Sequence, residues 1–149
     1  LQKENDFHGH SFLSILDESN PAGWDEIYAS HTFHEITMYY PMRAVRTRRY
    51  KLIWNIAHKL DYPFASDLQV CETWEGALKR GLKVFGKRSI NAYLHRPEFE
   101  LYDLQKDPDE IKNLAYDPKY NDVLKELKEK IRSFQKRTDD PWIYKWDYE

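Results

Sequence analysis

The sequence has little cysteine and glycine, no long hydrophobic run and no excess of charge of either sign. Cys71 is the only cysteine among 149 residues, so no disulfide can form within the chain. Lys and Arg total 23 while Asp and Glu total 25, and this near balance argues against a nucleic-acid or anionic-membrane partner recruited by overall charge. The apolar runs are only a few residues long, which predicts no membrane-spanning helix and no membrane partner.

Two sequence signals of export are also missing. Residues 1–6 are polar and lack the basic and apolar regions of a signal peptide, and the sequence does not begin with methionine. We therefore expect a mature product or an excised piece of a longer chain. No Asn-x-Ser/Thr sequon occurs, which disfavours a glycosylated animal secretory protein.

The residues present suit a folded domain, since 41% are hydrophobic and 15% aromatic. Alternating or aromatic-rich runs predict strands at 26–32, 42–47, 50–55 and 98–104. The short gap between the second and third runs predicts a hairpin.

Helical spacing of apolar residues predicts a long amphipathic helix at 118–137, and shorter helices at 11–17, 72–80 and 89–95. The aromatic tail after residue 138 is expected to dock on its own domain. The predicted fold class is α+β, with a small antiparallel β-sheet packed against the long C-terminal amphipathic helix.

Two stretches resemble sulfatases of the alkaline-phosphatase superfamily. Residues 8–16 read HGHSFLSIL, similar to a G-x-S-hydrophobic segment that precedes the last part of these proteins. Residues 99–115 read FELYDLQKDPDEIKNLA and resemble the ELYDL-x-x-DP-x-E-x-x-NLA signature of the sulfatase C-terminal subdomain. Within the family, HEITMYYPMR at 34–43, DYPF at 61–64 and DPW at 140–142 resemble the sulfamidase branch.

The resemblance implies a hydrolase that removes N-sulfate or O-sulfate groups from glycosaminoglycan-type sugars. It implies that residues 1–40 end the catalytic domain and that 41–149 form the C-terminal subdomain. Family members use a formylglycine nucleophile and a calcium ion, and we expect both in an N-terminal catalytic domain upstream of Leu1. No catalytic residue, metal ligand or cofactor site is predicted in this chain. The resemblance together with the missing sequons favours a bacterial periplasmic or secreted protein over a lysosomal one.

The candidate substrate-binding residues are His31, His34, Glu35 and Arg43. The two imidazoles and the carboxylate follow a predicted strand, where side chains commonly project into a cleft and can hydrogen-bond sugar hydroxyls. Arg43 follows a Tyr-Tyr-Pro-Met run and is a candidate pocket or interface arginine. The alternative for the histidine cluster is an interface with the missing domain.

Other interpretations stay open at this stage. His8 and His10 together with the later pair suggest a zinc site only weakly, because cysteine and carboxylate ligands are lacking. Cys71 is expected to be a packed thiol because it is small and neighbours Val70 and Trp74. The run CETWE at 71–75 also lacks the proline and arginine of the nucleophile motif. Arg46 and Arg48 are expected on a solvated hairpin face. The alternative function is a stand-alone glycan-binding or interaction module without catalysis.

Overall fold

The computed structural model describes residues 8–35, 38–63 and 65–148. Its strands are β1 Glu26–Phe33, β2 Tyr39–Thr47, β3 Tyr50–Asn55, β4 Val84–Phe85, β5 Arg88–Ser89 and β6 Phe99–Asp103. Its α-helices are α1 Ser66–Gln69, α2 Glu72–Lys79, α3 Ile90–Leu94 and α4 Asn121–Arg137. Short 3₁₀ segments occupy Leu13–Ile15, Pro118–Tyr120 and Pro141–Trp146. Among these elements, no helix combines the length and apolarity needed to cross a membrane.

The main sheet has the order β1-β2-β3-β6 and is antiparallel throughout. Alternation along the strands sends every second side chain to the same face. Val45, Leu52 and Leu101 are paired across β2, β3 and β6, and all three are fully buried. This apolar row is the centre of the hydrophobic core.

Helix α4 covers that face of the sheet. Leu127 and Ile131 lie one turn apart on its apolar side, and both are buried against the strand residues. Tyr28 of β1 stacks on Phe134 of α4 with ring centroids 4.1 Å apart. The expected α+β architecture, with its antiparallel sheet and long C-terminal helix, is confirmed.

The C-terminal tail docks on the same core, as expected. Trp146 stacks on Trp54 of β3 with centroids 3.9 Å apart, and its Nε1 donates to Gln135 Oε1 over 2.7 Å. The Asp140 carboxylate accepts from the backbone N–H of Trp142 and caps the turn Pro141–Trp146.

The free edge of β6 is closed by a side chain from the 99–115 signature. Asn113 Oδ1 accepts from the Leu101 N–H over 2.9 Å, and Asn113 Nδ2 donates to the Phe99 carbonyl over 2.9 Å. The Leu114 N–H then donates to the Leu101 carbonyl over 2.8 Å. Backbone groups that would otherwise stay unpaired at the sheet edge are thereby satisfied.

Two elements were not predicted from the sequence. Helix α1 has only four residues, and the β4–β5 ribbon has two residues on each side of a turn that contains Gly86 at φ +61°. The predicted helices at 72–80 and 89–95 are confirmed as α2 and α3, and Gly81 adopts the left-handed conformation after α2.

The segment before β2 buries little apolar surface. The helix predicted at 11–17 is only the 3₁₀ turn Leu13–Ile15, because too few of its apolar groups find a surface to pack on. Phe12, Leu16 and Ile27 are each at least 60% exposed, so this region packs poorly within the chain. The division at residue 40 falls inside β2, and β1 is hydrogen-bonded along β2. The two-domain division stays a prediction.

Candidate functional site

The histidine turn, defined here as His31, His34 and Glu35, lies at the end of β1. His31 is half-buried, with Nδ1 3.1 Å from the Tyr40 carbonyl oxygen. His34 and Glu35 follow in an exposed bend. Ser66, at the start of α1, donates its hydroxyl to Glu35 Oε1 over 3.3 Å. The structure therefore places these three predicted residues in one short surface segment.

An irregularity in the sheet lies beside the histidine turn. The pairing of β1 with β2 shifts register between His31 and Phe33, so β2 carries one extra residue between Tyr39 and Met42. Such bulges bend a strand and re-aim its side chains. β1 ends at Phe33. His34 follows in an exposed bend, where its imidazole is open to solvent.

Arg43 lies in a different environment. Its Nε and Nη2 donate to the Asp140 carboxylate over 2.5 and 2.8 Å, and its Nη1 donates to the carbonyls of His31 and Met42 over 3.1 and 2.8 Å. Its side chain is only 8% exposed. Four of the five N–H groups of an arginine therefore have acceptors within the chain.

The carboxylate that Arg43 binds is held ionised. Burial raises the pKa of Asp140, but hydrogen bonds from Arg43, the Trp142 backbone and Gln135 outweigh that effect and leave the pKa below its ordinary value. The pair links β2 to the C-terminal turn Pro141–Trp146. The pair is a buried ion pair that holds these two elements together.

The histidine turn and Arg43 are joined through the main chain. Ser30 is the strand partner of Arg43 and His31 is the partner of Met42, so alternation sends the side chains of His31 and Arg43 to opposite faces. Only the His31 carbonyl contacts the guanidinium. Direct contact of Arg43 with a ligand stays a prediction, as does contact by the three residues of the turn.

The other arginines of the hairpin behave as expected. Arg46 is exposed, and Arg48 is exposed and paired with Asp25 over 2.5 Å. Arg49 binds the buried carboxylate of Asp103 over 2.8 Å. The structure therefore disperses this basic cluster over the surface and into separate ion pairs.

A polar cavity on the sheet face opposite α4 was not predicted from the sequence. The Arg96 cavity, as we name it, has a volume of about 320 Å³. Its walls include Arg88, Tyr93, Arg96, Glu100, Tyr102 and Asn113. These residues come from β5, α3, β6 and the two loops that flank β6, so no local period in the sequence indicates that they meet.

Glu100 forms the buried part of this cavity. The residue is 8% exposed, and its two carboxylate oxygens accept from Asn55 Nδ2 over 2.7 Å and from the Tyr102 hydroxyl over 2.5 Å. Burial and then the neighbouring Glu100 charge raise the pKa of the Tyr102 hydroxyl, which therefore stays protonated and donates. Arg96 lies above the ring of Tyr62, 3.7 Å from its centroid.

Neither Cys71 nor the histidines form a reactive or metal-binding cluster in the described residues. The Cys71 sulfur accepts from the Trp74 N–H over 3.5 Å and caps the start of α2. His8 and His10 are exposed. No group of three or more His, Cys, Asp or Glu side chains within the described ranges is arranged to hold a metal ion.

Comparison with known proteins gives one consistent assignment. Residues 78–137 match the family model described as N-sulphoglucosamine sulphohydrolase, C-terminal. The chain is 36% identical over 138 residues to the N-sulphoglucosamine sulphohydrolase of Homo sapiens, covering 91% of this chain and 27% of that protein. It is 32% identical over 137 residues to an ulvan-active sulfatase of Formosa agariphila, covering 91% of this chain and 26% of that protein. The chain thus spans about a quarter of the length of these relatives.

Solved structures show the same fold. A protein in complex with its substrate D-glucosamine-2-N,6-O-disulfate aligns with a TM-score of 0.58 and 20% identity, covering 95% of this chain and 22% of that one. A putative sulfatase from Bacteroides thetaiotaomicron aligns with a TM-score of 0.52 and 22% identity, covering 87% of this chain and 20% of that one. The chain belongs to the sulfatase family and corresponds to the C-terminal portion of its sulfamidase-like members.

Proposed function

We propose that this chain is the C-terminal region of a hydrolase that removes N-sulfate or O-sulfate groups from glycosaminoglycan-type sugars. The observation that carries the proposal is the 36% identity to N-sulphoglucosamine sulphohydrolase over 91% of the chain. In this proposal the chain packs on an N-terminal catalytic domain and forms one wall of the substrate cleft.

The bond-breaking groups belong to that N-terminal domain. The described residues of this chain do not fit a formylglycine or calcium site, because Cys71 caps α2 and no metal-ligating cluster is formed. The residues of this chain therefore take no part in bond cleavage. Their contribution is to bind and orient the sugar.

The histidine turn is the proposed contact surface. The exposed imidazole of His34 can donate to or accept from a sugar hydroxyl, and the exposed carboxylate of Glu35 can accept from a hydroxyl or bind an ammonium group. Arg43 acts in this proposal as a positioning residue, because its contact with the His31 carbonyl ties the start of the turn to the core.

The test uses the longer parent protein, assayed on N-sulfated glucosamine and on an O-sulfated sugar. We expect His34→Ala and Glu35→Gln to raise KM about tenfold, the cost of one lost charged hydrogen bond, while the melting temperature is unchanged. Asp67→Asn is the matched control, because Asp67 is exposed in α1 and lies outside the turn.

Two results would contradict the proposal. A parent protein that turns over neither sugar would remove the assigned activity. Variants of the turn that lower the melting temperature and leave KM unchanged would show that His34 and Glu35 belong to a domain interface instead.

A further inference from the structure

We propose that the Arg96 cavity binds an acidic sugar unit, with the guanidinium of Arg96 holding its carboxylate or sulfate group. The lining residues of this cavity are distinct from the histidine turn. Binding there requires no hydrolysis, so the inference goes beyond the proposed function.

The first observation is the state of the Arg96 guanidinium. Its nearest acceptors are the Tyr93 carbonyl, 3.4 Å from Nε, and the weakly accepting sulfur of Met42, 4.0 Å from Nη1. Within the described ranges it forms no ion pair with a carboxylate. Arg96 therefore has N–H groups available for an anion, and a planar guanidinium binds carboxylate or sulfate oxygens in pairs.

Each of the other two cations of the cavity wall already has a carboxylate neighbour. Lys87 pairs with Asp109, and Arg88 lies 3.6 Å from Glu110. An anion entering the cavity therefore gains most from Arg96. The aromatic rings around Arg96 stabilise its positive charge and so offset the cost of removing the guanidinium from water.

Aromatic packing fixes the orientation of the guanidinium. Its central carbon lies 3.7 Å from the centroid of Tyr62 and 5.3 Å from that of Tyr93. A side chain clamped in this way loses less conformational entropy when it binds a ligand. The arrangement is that of a preorganised anion-binding arginine.

The remaining polar groups are suited to hydroxyl donors. Each carboxylate oxygen of Glu100 accepts one hydrogen bond, from Asn55 or Tyr102, and has capacity for another. Glu100 and Glu110 would repel a doubly charged phosphate lodged between them, whereas they can accept from sugar hydroxyls. A singly charged polyhydroxyl ligand therefore fits the wall better than a nucleotide.

An apolar wall adjoins this polar site. A neighbouring cavity of about 380 Å³ shares Arg88, Ser89 and Tyr93 with the Arg96 cavity. Trp74 lies in that cavity with its ring centroid 6.2 Å from Phe85 and 6.0 Å from Tyr93. Sugar rings have apolar C–H faces that pack on aromatic side chains. The two adjoining cavities together therefore offer an aromatic surface for the sugar ring and a guanidinium for its acidic group.

The test is to titrate the full 149-residue chain with three sugars and to monitor binding by NMR and calorimetry. Glucuronic acid supplies the carboxylate, N-acetylglucosamine 6-sulfate supplies the sulfate, and N-acetylglucosamine is the neutral reference. We expect at least one acidic sugar to bind about tenfold more tightly than the neutral one, and to shift the Arg96 Nε–H resonance. The stronger of the two acids identifies the natural anionic group.

Variants localise the site. Arg96→Gln is expected to weaken acidic-sugar binding about tenfold, while Arg46→Gln removes an exposed arginine from the same sheet face and leaves binding unchanged. Arg96→Lys keeps the charge but not the stacked plane, and is expected to bind several-fold more weakly than the wild type. It replaces Arg96→Gln if that variant does not fold.

Several outcomes would overturn the inference. These are equal binding of neutral and acidic sugars, tighter binding of AMP than of either acidic sugar, an equal loss in Arg46→Gln, or no binding at millimolar concentration. None of them bears on turnover by the longer parent, so the two proposals fail independently.

Discussion

At the scale of single residues, the pair Arg43–Asp140 joins positions 97 apart in the sequence. Their side chains are 8% and 12% exposed, so neither charge is well solvated once the other is removed. Replacing a whole buried pair is often neutral, whereas removing one partner leaves an uncompensated charge. Replacing only one residue of the pair is therefore the clearest test of its contribution to stability.

We expect Asp140→Ala to lower the free energy of unfolding by about 3–5 kcal/mol, measured by urea denaturation. The change also removes the acceptor of the Trp142 N–H and of Gln135 Nε2. Asp25→Ala is the control, because the Arg48–Asp25 pair is exposed and its loss is expected to cost less than about 1 kcal/mol. Equal losses in the two variants would show that burial of the Arg43 pair is unimportant.

The same carboxylates predict a dependence of stability on acid. The pKa of Asp103 is lowered mainly by its hydrogen bond from Arg49, and that of Asp140 is also below the ordinary 3.8. A folded-state pKa below the unfolded value gives stability that is present above the unfolded pKa and lost as pH falls through the folded pKa. The unfolding free energy should therefore be steady from pH 7 to about 5 and fall below about 4.

Urea denaturation at pH 6 and pH 3.5 measures this loss. Asp140→Asn cannot ionise, so its stability should fall less between the two pH values than that of the wild type. A variant with the same loss would assign the acid sensitivity to other carboxylates, such as Glu26, whose pKa is lowered by Lys130.

At the scale of elements, Asn113 completes the sheet by closing the free edge of β6. Its Oδ1 also accepts from the Ala115 N–H over 3.0 Å, so one side chain supplies three hydrogen bonds to the backbone. Asn113→Ala should cost about 2–4 kcal/mol of unfolding free energy, because buried backbone groups lose their partners. Asn91→Ala in α3 is the exposed control, expected within about 0.5 kcal/mol of the wild type. Comparable stability of both variants would refute the structural role.

The C-terminal turn offers a second test at this scale. Trp146→Ala removes the stack on Trp54 and the hydrogen bond to Gln135, and large core truncations of this kind cost about 3–5 kcal/mol. Tyr144→Ala changes an aromatic residue of the same turn that is 67% exposed, and should cost less than about 0.5 kcal/mol. Thermal unfolding of the two variants side by side makes the comparison, and a stable Trp146→Ala would mean that the tail does not support the core.

The elements that the sequence predicts are those with a sustained period. β2, β3 and α4 each bury mainly one face, and β6, although buried throughout, alternates polar and apolar residues, so alternation or helical spacing marks all four. Helix α1 and the β4–β5 ribbon are too short to show a period, and β4 and β5 are exposed on both faces. Their positions depend on contacts with distant segments, which no local pattern records.

At the scale of the whole molecule, the candidate sites differ in how far the sequence predicts them. His31, His34 and Glu35 are close in sequence, so their proximity in the fold follows directly. The role of Arg43 depends on Asp140 near the other end of the chain, and the Arg96 cavity requires several segments to meet. Side chains brought together only by the sheet and its connections could not be found before the fold was known.

The distribution of exposed apolar residues gives the last prediction. In the segment before β2, Phe12, Leu13, Leu16 and Ile27 are 60–72% exposed, which is unusual for a soluble surface. The isolated chain should therefore bind a hydrophobic dye and self-associate, as measured by fluorescence and sedimentation. The double variant Leu13→Ser, Leu16→Ser should reduce both signals at unchanged unfolding free energy.

In the longer parent the same double variant should lower the melting temperature, because the proposed packing on a catalytic domain would bury these side chains. Val70→Ser is the matched control, since Val70 is 69% exposed at the end of α1, away from that segment. It should leave the parent unchanged. A loss of stability in the parent, without one in the isolated chain, is the result expected if a partner surface covers residues 8–33, so an unchanged parent would contradict docking through this segment.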